Sequence, residues 1–266
     1  MRFLRSLTRG LQVAGYIALS GTELLLKRPP KQEARAEWLH RLCARVVHGL
    51  GIEVVVVGDF PGHGAVIANH LSYVDIVIFA AMRPCVFVAK AEIESWPVIG
   101  WMTTMAGTVY VERGRGGSAV KARKGLSVAF DDGVPVVFFP EGTTSDGRGL
   151  LKFHSGLLAQ VLAEDAPVTA AHVSYSLQAE NGAGVTVADN VCYWGDMKMW
   201  PHVFHFLGLR GVRVEVRFSG EPIVFHDPAN RKLAADEARS AVAELREAAQ
   251  VSKECTIFDS TNVHVR

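Results

Sequence analysis

Ala65-Val66-Ile67-Ala68-Asn69-His70-Leu71-Ser72-Tyr73-Val74-Asp75 decides the fold. The first four residues form a short, wholly apolar run, as a buried strand requires, and Asn69-His70 end it. From residue 74 to 82 the pattern turns helical. A histidine therefore stands where a strand gives way to the loop before a helix. Carboxyl ends of strands are where open α/β sheets place their ligands.

Outward from this segment the same alternation repeats. Short apolar runs at 52–57, 86–89, 108–111 and 135–139 are bounded by Gly and Pro and suit buried strands. Helical spacing occupies 32–50, 96–106, 118–131 and 155–163, the first ending near Gly49 and Gly51. The predicted fold class is α/β, a single domain with a largely parallel sheet covered by helices. Residues 212–218 alternate apolar with Arg213, Glu215 and Arg217 and predict a half-exposed strand. A last helix is expected over 229–250, with Leu233, Ala238, Val242, Leu245 and Ala249 on one stripe. Residues 32–250 are read as the domain, 1–31 as a membrane-interacting helical segment before it, and 251–266 as a tail.

The chain has 266 residues, 49% of them hydrophobic and 21% charged, with a formal net charge of +1. No global field attracts nucleic acid, and none is expected as a partner. The apolar share exceeds what a soluble core needs, so a greasy surface is expected. Cys43, Cys85, Cys192 and Cys255 lie far apart with no C-x-x-C spacing, which removes zinc-ribbon and thioredoxin readings and suits a reducing compartment. At the amino end Arg2, Arg5 and Arg9 precede an apolar run at 11–26, followed by Lys27 and Arg28. The run is shorter than the about 20 residues a bilayer crossing needs and contains Gln12, Ser20 and Glu23, so lying in the interface is expected. The flanking cations would then sit among anionic headgroups. An ordinary buried amphipathic helix is the other reading.

His70 can take a proton from an attacking alcohol if a carboxylate fixes its tautomer, and Asp75 is the candidate. On a straight helix a five-residue gap does not face the pair, but a turn leading into a helix start brings them together. A second polar loop, Pro140-Glu141-Gly142-Thr143-Thr144-Ser145-Asp146-Gly147, follows the run at 135–139 to the same edge. Its amides and hydroxyls suit an anion or substrate, or ordinary turn chemistry. Lys90 and Arg113 end two further strands and suit a phosphate, or are solvated surface charges.

In this order the segments NHLSYVD, GTVYVERG and FPEGTTS resemble the 1-acylglycerol-3-phosphate acyltransferases, or lysophospholipid acyltransferases, over roughly residues 51–173. The resemblance implies His70 as general base and Asp75 as its partner. It places Glu141, Gly142 and Thr143 in acceptor binding or site architecture, and Lys90 and Arg113 at positions associated with the acceptor phosphate. Thr144 stands where the family has an arginine, which removes one bidentate phosphate partner. The family's later V-P-V segment is here Pro167-Val168-Thr169-Ala170-Ala171. Trp194-Gly195-Asp196-Met197 and the aromatic run to Leu207 are similar to members that acylate lyso-ornithine lipids; core packing, an acyl groove or a membrane-facing patch would each explain that run.

The function expected is transfer of a fatty acyl group from acyl-CoA or acyl-carrier protein to a lysolipid hydroxyl. The leading acceptor is 1-acyl-glycerol-3-phosphate, with lyso-ornithine lipid as the alternative. The mechanism needs no metal or other cofactor, and the setting expected is the cytoplasmic face of the inner membrane. Two rivals remain: a metal-assisted hydrolase using His70, Asp75, His154 and His172, whose spacing matches no familiar zinc signature, and a non-catalytic lipid-binding protein.

Overall fold

The computed structural model describes residues 1–27, 29–96, 99–111 and 116–261. Along the chain run α1 (Arg2–Lys27), α2 (Gln32–Leu50), β1 (Glu53–Val57), β2 (Ala65–Ala68), α3 (Val74–Met82), β3 (Val86–Lys90), α4 (Ile99–Met105) and β4 (Val109–Val111). Then come α5 (Gly116–Asp131), β5 (Val136–Phe138), α6 (Ser155–Leu162), β6 (Val168–Leu177), α7 (Val187–Asn190), α8 (Met199–Leu207), β7 (Val212–Phe218) and α9 (Arg231–Thr261).

The strands form one sheet in the order β1-β7-β6-β2-β5-β3-β4. β2 is central, pairing in parallel with β5 and with β6. β3 joins β5 and β4 joins β3, both parallel. β7 runs antiparallel to β6 and carries β1 parallel beside it, so the sheet is reversed at one edge only. All four β2 residues are wholly buried because apolar clusters cover both faces, the condition that selects a continuous apolar run over an alternating one. β7 shows the opposite pattern, its valines and Phe218 buried and its charged residues half-buried, as its alternation predicts.

Two expectations fail for physical reasons. Residues 96–106 are not one helix. A 3-10 turn spans Ala91–Ser95, Trp96 is extended at φ −74 and ψ 132, and α4 starts at Ile99. Pro97 follows Trp96, and the ring disfavours a helical conformation in the residue before it. The second failure is β6, a ten-residue strand that the sequence reading did not assign. Thr169, His172 and Ser174 interrupt its apolar run and hide it.

α1 packs on α2 and α8. Gly49 permits the first contact, because a Cβ there would come within 2.8 Å of the Tyr16 ring. The outer surface of α1 is apolar: Phe3, Leu4, Leu7, Leu11, Leu19, Leu25 and Leu26 are exposed. Its arginines face inward, correcting the expectation that they reach headgroups. Arg5 donates to the Gly208 carbonyl at 2.8 Å, Arg9 to those of Leu207 and Leu209, and Arg2 to that of His205. These carbonyls lie at and just beyond the C-terminus of α8, where cations are favoured. Lys27 is paired with Glu23 at 3.0 Å, and Arg28 lies outside the described residues. Among the described residues no helix is long and apolar enough to cross a membrane.

Candidate active site

His70 and Glu141 follow the carboxyl ends of β2 and β5, neighbouring strands that run the same way. Asn69 opens the loop. Its side-chain amide donates to the Val173 carbonyl at 3.0 Å and its oxygen accepts the Val173 amide at 2.7 Å. That pair extends the β2–β6 ladder by one side chain while the backbone turns away. α3 then begins at Val74, with Asp75 in its first turn.

The turn solves the spacing problem. Asp75 points back along the chain, and its Oδ2 accepts the backbone amides of Leu71 at 2.7 Å and Ser72 at 3.0 Å. The same oxygen meets His70 Nδ1 at 2.8 Å. A carboxylate can only accept, so Nδ1 carries the proton and Nε2 keeps its lone pair. The other Asp75 oxygen, Oδ1, accepts the Tyr175 hydroxyl at 2.6 Å. Asp75 is fully buried, and four donors compensate the loss of water. The His70 side chain keeps 15% exposure. Its ring lies flat on Phe139, centroids 3.9 Å apart and planes 8° from parallel, and Phe79 meets Phe139 edge-on. The imidazole is thereby fixed in plane and in tautomer, with one nitrogen left to react.

Glu141 joins the two loops. One carboxyl oxygen accepts the His70 amide at 3.4 Å and the other accepts the Leu151 amide at 3.2 Å. The Ser145 amide donates to the His70 carbonyl at 2.9 Å. Gly142 supports the turn at φ 64, a conformation that costs a side-chain-bearing residue about 1–2 kcal/mol. Burial pushes the Glu141 carboxyl up to about 7; the two amide bonds pull the other way, nearby Asp75 raises it further, and Arg239 lowers it.

Of the sequence candidates, the structure brings His70, Asp75 and Glu141 into one hydrogen-bonded unit, with Gly142 in the adjoining turn, its amide on the Phe139 carbonyl at 3.0 Å. Thr143 is exposed and Thr144 half-buried on the same loop. Lys90 is exposed at the end of β3, on the same sheet edge, and Arg113 lies outside the described residues. The residues of the hydrolase reading are dispersed: His154 is exposed before α6, and His172 is buried within β6. Among the described residues no group of three or more His, Cys, Asp or Glu is placed to hold a metal ion.

Three residues near the site were not found from sequence. Tyr175 lies on the unassigned β6. Phe139 opens the FPEGTTS segment, and nothing in the sequence marks it as a stacking partner of His70. His202 sits on α8, where it donates from Nε2 to the Cys192 carbonyl at 2.8 Å and accepts the Tyr73 hydroxyl on Nδ1 at 3.0 Å. Burial lowers the pKa of His202, which suits this neutral role. With the Tyr193 amide on the Leu71 carbonyl at 2.8 Å, these bonds fasten the 187–207 region to the His70 loop. α8 thus divides its aromatic run: Phe206 joins the core, as the packing reading expects, and Trp200 is exposed. Burial pushes the neighbouring Cys192 thiol up to about 12, so it holds no thiolate at neutral pH to act as nucleophile.

This arrangement can deprotonate a hydroxyl at Nε2. The amides of Leu71 and Ser72 are occupied by Asp75, so neither is free to receive an oxyanion.

A family model described as Acyltransferase matches residues 52–174. The lyso-ornithine lipid O-acyltransferase of Pseudomonas aeruginosa is 35% identical over 179 residues, 65% of this chain and 66% of that protein. The lyso-ornithine lipid O-acyltransferase of Brucella abortus is 30% identical over 82% of this chain and 83% of its own length. The 1-acyl-sn-glycerol-3-phosphate acyltransferase of Neisseria gonorrhoeae is 35% identical over 55% of this chain and 58% of that protein. Among solved structures, the 1-acyl-sn-glycerophosphate acyltransferase PlsC from Thermotoga maritima shares the fold, with TM-score 0.60 and 21% identity, covering 92% of this chain and 98% of that one. The chain therefore belongs to the 1-acylglycerol-3-phosphate (lysophospholipid) acyltransferase family and is an O-acyltransferase acting on a lysolipid hydroxyl.

Proposed function

We propose that His70 is the general base of the transfer and Asp75 its orienting partner, with acyl-CoA or acyl-carrier protein as donor. As the acceptor oxygen attacks the thioester carbonyl, Nε2 takes the hydroxyl proton. The carbon–oxygen ester bond forms, the carbon–sulfur bond breaks, and the departing thiolate receives the proton from the imidazolium. The base is regenerated without an acyl-enzyme. The observation that carries this reading is the locked Nδ1–Asp75 bond with Nε2 left over. In this scheme Glu141 and Gly142 hold the two loops in register. Thr143, Thr144, Lys90 and Arg113 contact the acceptor headgroup.

For the acceptor, the relatives named for lyso-ornithine lipid cover more of this chain than the Neisseria relative does. A threonine at 144 also suits a zwitterionic headgroup better than a bare phosphate. Lyso-ornithine lipid is therefore the acceptor we favour. The 1-acyl-glycerol-3-phosphate reading rests on the family pattern and the Neisseria relative. The outward apolar face of α1 supports seating at a membrane surface, on the cytoplasmic side of the inner membrane where acyl-CoA and acyl-carrier protein reside.

The test supplies purified protein with liposomes containing both lysolipids at equal concentration and labelled acyl-CoA or acyl-carrier protein. A labelled ester of lyso-ornithine lipid in excess supports the favoured reading. Phosphatidic acid in excess moves the assignment to the second, and hydrolysis without ester formation overturns both.

A further inference from the structure

We propose that Tyr175 is a positioning residue of the transfer reaction, holding the outer oxygen of Asp75 so that the carboxylate meets His70 through Oδ2 alone. This deepens the general-base reading and rests on it.

Sheet register explains how a residue so far along the chain reaches the site. The last β2–β6 pairing is Ala68 with Ala171, yet β6 runs on to Leu177. β2 has by then turned into the His70 loop, and the end of β6 reaches Asp75 in the first turn of α3 through a side chain. Val173 holds Asn69 from this overhang, and Tyr175, two residues on and on the same face, sends its hydroxyl to Asp75 Oδ1 at 2.6 Å. Both partners are buried.

The bond has a defined polarity. Desolvation first, and the adjacent carboxylate second, push the phenol pKa well up, so the hydroxyl keeps its proton and donates it. Oδ2 already accepts three donors, and the tyrosine is what Oδ1 has. That division matters to the base. With a donor on Oδ1 the carboxylate charge is shared, and the proton on Nδ1 is held without being overstabilised when the ring becomes imidazolium. Without it, negative charge gathers against the ring, the imidazolium is favoured, and Nε2 is less often free to accept a proton. The carboxylate also loses the one bond that fixes its outer oxygen, leaving Oδ2 as its pivot.

The ionisable groups around this pair are Glu141 from the loop after β5, Tyr73 from the His70 loop and Cys192 after α7. Tyr73 and Cys192 stay neutral at working pH, and Glu141, at about 7, contributes a second inflection that all variants share.

The experiment is the pH profile of kcat/KM for Tyr175→Phe in the full-length protein, alongside wild type and His70→Ala, with melting curves for each. Tyr175→Phe should lower kcat by about tenfold and move the acidic limb up by roughly half a unit to one unit, with KM for the acceptor little changed. Incorporating 3,5-difluorotyrosine at 175, a stronger donor of similar shape, should keep kcat near wild type and move the limb below that of wild type. A lower melting temperature with an unmoved limb, or a wild-type profile, would overturn the inference while leaving His70 as base. Should Tyr175→Phe fail to fold, the difluorotyrosine limb decides alone, an unmoved limb counting against the proposal. Full activity in folded His70→Ala would instead remove the reading underneath it.

Discussion

The loop around His70 and the outer face of α1 each invert the usual partition of a folded chain, in opposite senses. At the first a carboxylate is fully buried; at the second leucines such as Leu26 stand 80% exposed. The buried carboxylate is answered within the chain, by two backbone amides, an imidazole and a phenol. The leucines stay largely exposed, while the arginines of the same helix turn inward. One region is complete in the sense that its buried carboxylate is fully paired. The other is complete only against something apolar outside. Contiguous exposed apolar surface of this kind marks an interaction site.

Substitutions should separate the two regions cleanly. His70→Ala is expected to lower turnover by about two to four orders of magnitude with an unchanged melting temperature, as removing a positioned base does. Asp75→Asn should be comparably slow and also less stable, because its NH2 group cannot accept the Leu71 and Ser72 amides while turned toward His70. A stopped assay and a melting curve on the same preparations distinguish the two. Activity within threefold of wild type in folded His70→Ala would end the catalytic reading.

At the other region, Leu4, Leu7 and Leu11 changed together to Ser should weaken liposome partitioning about 100-fold, taking roughly 1 kcal/mol for each partly immersed leucine. Melting temperature should hardly move, since these side chains leave no core contact. Co-flotation with neutral liposomes reads the effect. Unchanged flotation would shift the anchor to the Trp200 surface of α8.

Glu141 gives a pH signature. Its folded pKa, about 7, lies above the ordinary carboxylate value of 4.5. The native state therefore binds this proton more tightly than the unfolded chain does. The resulting stabilisation is full below about pH 4.5 and is lost as pH rises toward and through 7. The stability of wild type relative to Glu141→Gln should accordingly shrink between pH 5 and pH 8, as followed by urea denaturation. A constant difference would mean that burial does not hold the proton. The smallest effect is expected from Thr144→Arg, a severalfold rise in use of 1-acyl-glycerol-3-phosphate relative to lyso-ornithine lipid, from one added charge-assisted contact. Competition at equal concentrations reads the ratio, and an unchanged ratio would show that position 144 does not touch the headgroup.

The sequence made these two regions unequally legible. β2 and α3 were readable to the residue because burial on both sides demands unbroken apolar runs, and the polar Asn69-His70 pair marks where the run stops. The approach of Asp75 to His70 was foreseeable as a turn into a helix start. The donors that complete it were not. Two are backbone amides, which no side-chain pattern records, and Tyr175 sits on a strand whose buried polar residues blurred its periodicity. On α1 the apolar spacing was visible, but the direction of the arginines was not, since it depends on α8 ending beside them.

On the seating at a membrane proposed above, that last arrangement has a consequence for how the helix would meet lipid. Polybasic anchors let go when salt screens the leaflet potential over a Debye length of about 8 Å at physiological ionic strength. Here the guanidinium groups of Arg2, Arg5 and Arg9 are engaged with carbonyls at the end of α8. Adsorption through α1 should follow the packing defects of the bilayer and be nearly indifferent to added sodium chloride and to the fraction of anionic lipid.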